Sequence, residues 1–204
     1  LMRRDELEAN LGFTFSAQNF LITFHPVTLD SVPSLDQFAA LLNALSRRNE
    51  IGLIFTKPNA DPQGRALSAA LEAFVENRSN AAMFASLGHR RYLSVMNVVD
   101  VVVGNSSSGL LEAPSLATPA VNIGGRQGGR LRASSVIDCA PESQAICAAL
   151  DAAIGMDCRG VENPYGDGHT AARVMQVLRN LDDPQALIHK KFVDLPFDET
   201  NQNG

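Results

Sequence analysis

Three serines in a row, Ser106, Ser107 and Ser108, stand between the apolar run Val101–Val103 and the segment Gly109–Glu112. Their hydroxyls, with the backbone N–H groups that a starting helix leaves unpaired, form a donor set suited to an anion such as phosphate. A helix cap is the plainer reading, but one cap needs one hydroxyl and this turn has three. Glu112 follows about one turn later. A carboxylate there complements a helix dipole, and it also accepts hydrogen bonds from a ribose diol. Arg126 and Arg130 lie in Gly124–Arg132, GGRQGGRLR, where glycines on both sides let the backbone bend around a ligand. Most surface arginines are simply solvated, yet a guanidinium held in such a loop can grip a diphosphate through paired hydrogen bonds. His25 stands before Pro26. A lone histidine is more often structural than catalytic, and His89 and His169 have weaker claims.

The elements that must position these residues follow from periodicity. Val101–Val103 is β-branched and apolar throughout, as suits a strand covered on both faces. Phe20–Phe24, Ile51–Phe55, Ala82–Phe84, Ala120–Ile123 and Val136–Cys139 read as further strands. Helices are expected over Asp5–Asn10 (closed by Gly12), from Ser34, over Gln63–Arg78, His89–Val99, Ser107–Leu116, Glu142–Ile154 and Thr170–Leu181. Ser34 and Gln37 have capping-box spacing, and the helix behind them presents Phe38, Leu41, Leu42 and Leu45. Pro114 is expected to tighten or end its helix. Asp198–Gly204 reads as a disordered tail. Strands alternate with helices and no Asn-Gly hairpin signal intervenes, so the fold class is α/β, a Rossmann-like parallel sheet with helices on both faces. In such sheets ligands sit beyond the carboxyl ends of the strands, where His25, Asn59, the serine turn and Gly124–Arg132 all fall.

Composition narrows the partners. Net charge is −5 and the basic residues form no stripe, which argues against nucleic acid. No apolar run reaches the roughly 20 residues of a membrane span, and the charged opening Leu1–Asn10 does not read as a secretory signal. Cys139, Cys147 and Cys158 lack metal-ligand spacing and read as free thiols of a reducing compartment, the cytosol. The P-loop and dinucleotide fingerprints are both absent. Leu1 is not an initiator, so the chain reads as a piece of something longer.

The run NSSSGLLEAPSLATPAVNIGGRQGGRLRASSVI (Asn105–Ile137) resembles the signature region of the UDP-N-acetylglucosamine 2-epimerases, in particular the hydrolysing branch of sialic and legionaminic acid biosynthesis. FHPVT (Phe24–Thr28), TKPNAD (Thr56–Asp61) and NPYGDG (Asn163–Gly168) are similar to that family in the same order. The resemblance implies the GT-B arrangement of two Rossmann-like domains. Residues 1–195 would be the C-terminal, UDP-binding one and 196–204 a disordered tail, with the base-bearing N-terminal half absent. It implies that Ser106, Ser107 and Arg126 contact the diphosphate, Glu112 the ribose, and Asn59 and His89 the nucleotide. His25 would assist departure of UDP. The implied substrate is UDP-N-acetylglucosamine or a related UDP-2-acetamido sugar, with no cofactor and no metal, in a cytoplasmic homodimer. A GT-B glycosyltransferase and a non-catalytic nucleotide-sugar module are the alternative readings.

Overall fold

Strand β1 (Gln18–Thr23) lies in the middle of the sheet and pairs in parallel with β2 (Ile51–Thr56) on one side and β4 (Val101–Gly104) on the other. The computed structural model describes residues 1–28, 30–58, 64–189 and 192. Among these, β3 (Ala81–Phe84), β5 (Ala120–Ile123) and β6 (Val136–Cys139) complete a six-stranded, all-parallel sheet of order β3-β2-β1-β4-β5-β6. The expected Rossmann-like α/β arrangement, helices on both faces, is the one observed, consistent with one lobe of a GT-B pair. Asn59 and the tail Asp198–Gly204 lie outside the described residues.

Side-chain alternation along the strands builds two cores. Phe20, Ile22, Leu53, Phe55, Val101 and Val103 point to one face, where they meet α2 (Ser34–Ser46), α3 (Gly64–Glu76) and α6 (Ser143–Ala153). Leu21, Ile54, Val102 and Ala120 point to the other, against α1 (Arg4–Leu11) and α4 (Gly88–Met96). A sheet covered on both sides favours apolar residues on both faces of its strands, as in the run Val101–Val103.

Several boundaries depart from expectation for identifiable reasons. β1 begins at Gln18 because buried Asn19 satisfies its amide on the backbone of Ser16, and Gly52 opposite has no Cβ to collide with it. Strand β1 ends one residue early, at Thr23. The capping box at Ser34 does not form. Ser34 Oγ exchanges hydrogen bonds with the backbone of Val27, and the Gln37 amide donates to Asp30 and to the Val32 carbonyl. Pro33 is the residue at the cap, and its side chain makes no cap bond. The expected helix Ser107–Leu116 is a single turn, α5 (Ser108–Leu111), followed by a 3-10 helix over Ala113–Leu116 with Pro114 in its first turn.

The described residues up to 167 form one compact unit and those from 168 onward a second. Within the second, α7 (Thr170–Arg179) has no buried residue, and Val174, Met175, Val177 and Leu178 are exposed. Among the described residues no helix is long and apolar enough to cross a membrane.

Candidate functional site

The order of strands reverses direction at β1 and β4, and the carboxyl ends of these two strands are the place where connections leave on opposite sides. Such a switch point leaves a crevice between the departing loops. Gly104 makes the junction tight. It has φ +132°, and a Cβ placed there would lie 1.9 Å from the Thr23 carbonyl oxygen, so only glycine fits. The next residue, Asn105, is fully buried and locks the loops together. Its backbone N–H donates to Thr23 O at 3.2 Å. Its amide accepts from His25 N–H at 2.7 Å and donates to His25 O at 2.8 Å. Its carbonyl accepts from Arg126 Nη1 at 3.1 Å and from Gln127 Nε2 at 2.8 Å. One asparagine therefore ties the loops after β1, β4 and β5 to each other.

A cleft of about 400 Å³ opens beside this junction. The ends of β1 and β2 supply Thr23, Thr56 and Lys57, the start of α4 supplies His89 and Tyr92, and the serine turn supplies Ser106–Ser108 with Glu112 beyond. Its floor is a run of hydroxyls. Thr56 Oγ1 and Thr23 Oγ1 are 2.6 Å apart, Thr23 Oγ1 and Tyr92 Oη 3.3 Å, and Tyr92 Oη and Ser108 Oγ 2.6 Å. Ser108 Oγ donates to Ser106 Oγ at 3.1 Å. Burial pushes the Tyr92 phenol up, and the Glu112 carboxylate adds to the rise, while the hydrogen bonds shared with Ser108 and Thr23 act the other way. Burial likewise raises the Glu112 carboxyl, offset in part by the imidazole of His89. Lys57 brings a cation to the rim, where its Nζ is 2.8 Å from Glu72 Oε1.

The residues singled out from sequence divide into groups. Ser106, Ser107, Glu112 and His89 line the cleft together. His25 and Arg126 are not among its lining residues; Asn105 bonds the backbone of His25 and the guanidinium of Arg126. Asn59 is outside the described residues, and Arg130 is exposed. Ser107 occupies the cap position of α5 without a side-chain cap bond, so the plain capping account does not explain it. Sequence reasoning missed Asn105 as the clamp, Gln127 as the buried peg of the glycine-rich loop, and the partners Thr23, Thr56, Lys57 and Tyr92. Only Asn105, directly after an apolar strand, carried a local signal. Asn163 of NPYGDG is not in the cleft. Its amide donates to Leu111 O and Ser115 Oγ at 2.8 and 2.7 Å, bracing the segment that carries Glu112.

The sequence profile described as UDP-N-acetylglucosamine 2-epimerase matches residues 1–179. The chain belongs to the UDP-N-acetylglucosamine 2-epimerase family. It is 38% identical over 138 residues to a GDP/UDP-N,N'-diacetylbacillosamine 2-epimerase (hydrolyzing) of Campylobacter jejuni, covering 67% of this chain and 36% of that protein. It is 29% identical over 178 residues to a UDP-N,N'-diacetylbacillosamine 2-epimerase (hydrolyzing) of Legionella pneumophila, covering 87% and 47%. The chain thus spans less than half the length of these curated relatives. Among solved structures, the UDP-GlcNAc 2-epimerase of Neisseria meningitidis bound to UDP-GlcNAc superposes with a TM-score of 0.62 at 16% identity, over 86% of this chain and 48% of that one. That similarity shows the shared fold.

Proposed function

We propose that this chain is the UDP-holding lobe of a hydrolysing UDP-2-acetamido-sugar 2-epimerase. The observation that carries the reading is the meeting of Ser106, Ser107, Glu112 and His89 on one cleft at the switch point of the sheet. The two relatives named as hydrolyzing enzymes support the branch. Serine donors and the Arg126 guanidinium suit the diphosphate, Glu112 the ribose hydroxyls, and Asn59 and His89 the rest of the nucleotide.

In the proposed reaction the proton at sugar C2 leaves and the C1–O bond to UDP breaks, UDP keeping the electron pair. A C1–C2 double bond forms, giving a 2-acetamidoglucal. Water then adds, hydroxyl to C1 and proton to the opposite face of C2, releasing an inverted 2-acetamido sugar such as N-acetylmannosamine. The phosphate donors stabilise charge that develops on departing UDP, and we assign His25 the protonation of the leaving oxygen. Removing a weakly acidic C–H proton needs carboxylate bases with adjusted pKa values, and we assign these to an N-terminal domain outside this chain. On this reading residues 1–195 act as the C-terminal domain of a cytoplasmic homodimer.

Calorimetric titration of this chain with UDP and with GDP tests the assignment. Saturable heat with UDP is expected, and none with UDP would remove the reading. Incubation with UDP-N-acetylglucosamine should release no N-acetylmannosamine unless the base-bearing domain is supplied. Release by this chain alone would place the base here.

A further inference from the structure

Ser106 has only one hydrogen-bonding capacity left to spend on a ligand. Its Oγ already accepts from the Ser108 N–H at 3.4 Å and from the Ser108 hydroxyl at 3.1 Å. A serine oxygen has two lone pairs, so among the described residues both are committed and its own proton remains. The same proton count orders every link behind it. The Ser108 hydroxyl proton is on Ser106, so Tyr92 is the donor across 2.6 Å. The Tyr92 proton being used, Thr23 donates to Tyr92 across 3.3 Å, and Thr56 donates to Thr23 across 2.6 Å. The order runs from Thr56 through Thr23, Tyr92 and Ser108 to Ser106.

We infer that Tyr92 is a positioning residue: by sending its proton to Ser108 it turns Ser106 into an obligate donor, selecting an acceptor-only anion such as a diphosphate oxygen. This rests on the UDP reading above and deepens it. A sugar hydroxyl or an ammonium could donate back to an ordinary serine. Here it would meet a hydroxyl with no free lone pair. Burial raises the phenol's pKa, so the proton that sets the order stays in place at neutral pH. Successive hydroxyl donors also polarise one another, which strengthens the last one in the chain. Tyr92 need not touch the ligand for this effect.

A double-mutant cycle read by UDP calorimetry on the chain tests the inference. Ser106→Ala should weaken UDP binding about tenfold, as expected for a lost hydrogen bond to a charged group. Tyr92→Phe keeps the ring and should weaken binding about fivefold. In the Ser106→Ala background, Tyr92→Phe should cost less than about twofold, because the residue it acts through is gone. Ser108→Ala cuts the chain one link later and should reproduce the Tyr92→Phe loss with the same non-additivity, which keeps the test open if Tyr92→Phe folds poorly. Equal losses in both backgrounds would mean that Tyr92 merely supports the fold, and would overturn the inference while leaving the UDP assignment standing. No UDP binding by the unmutated chain would remove both.

Discussion

Of two grooves that the described residues form on the main unit, the larger carries less. The groove lined by Arg132, Ser134, Asp157, Arg159 and Asn163 encloses about 660 Å³, against about 400 Å³ for the cleft beside the serine turn. Its two arginines are spent on neighbouring carboxylates at the surface. Arg132 Nε pairs with Asp138 at 2.9 Å and Arg159 with Asp157 at 2.6 Å, while Asn163 is turned inward to brace Leu111 and Ser115. In the smaller cleft, polar groups from the ends of β1, β2 and β4 and from α4 are wired into each other. A proton remains at Ser106 and a raised carboxyl at Glu112. Room alone does not mark a site. Polar groups that are fixed in place yet retain one unmet capacity do.

Substitutions can break or sharpen this contrast. The largest effect is expected at Gly104→Ala, whose Cβ would collide with the Thr23 carbonyl. A loss on the order of 4 kcal/mol or more should appear in denaturant titration, with loss of UDP binding. Asn105→Ala removes both side-chain bonds to the backbone of His25, at about 1–3 kcal/mol for each. Calorimetry should also show weaker UDP binding there, since the loop that carries His25 loses its anchor, while the Asn105 carbonyl that holds Arg126 is kept. Arg126→Ala should weaken UDP by about 1.5–3 kcal/mol with little change in unfolding midpoint, and an unchanged affinity would take Arg126 out of the site.

Glu112→Gln separates stability from recognition. The folded carboxyl is raised by burial, so the folded state holds its proton more tightly than the unfolded chain. The stability this lends is full below the ordinary value of 4.5 and lost as pH rises through the folded value. Glutamine should therefore raise the melting temperature at pH 7 and leave it unchanged near pH 4. Affinity for UDP should fall while that for pyrophosphate does not. Smallest of all is Arg159→Ala in the larger groove. Its ion pair with Asp157 is solvent-exposed, and neither melting temperature nor UDP affinity should move measurably.

Much of the fold was legible in the sequence because it depends on local chemistry. Val101–Val103 is a strand wherever it is read, and the alternation of apolar runs with helical periods admits few arrangements besides a parallel sheet. The serine turn and Glu112 were legible for the same reason. Tyr92 was not. Its value comes from Thr23, 69 residues away in sequence, and from Ser108, and both contacts require strand β1 to lie beside β4. Asn105 could be read as a turn residue but not as a clamp on His25 and Arg126, because that role exists only once three loops converge. At Ser34 local spacing misled. A capping box fits the pattern, but the backbone of Val27 claims the serine first.

The central position of β1 has a consequence for how the chain acquires its form. Thr23 meets Thr56 33 residues later, so half of the sheet can assemble early, whereas the His25–Asn105 clamp joins residues 80 apart. Until β4 arrives, one edge of β1 stays open, and pairings of such long span are slow to close and vulnerable to aggregation while they wait. Closing that edge and creating the cleft are a single event, since Gly104, Asn105 and the serines enter together. A nucleotide able to bind only there would bind no partly assembled species. Added during refolding, it would pull the population toward the finished sheet by mass action.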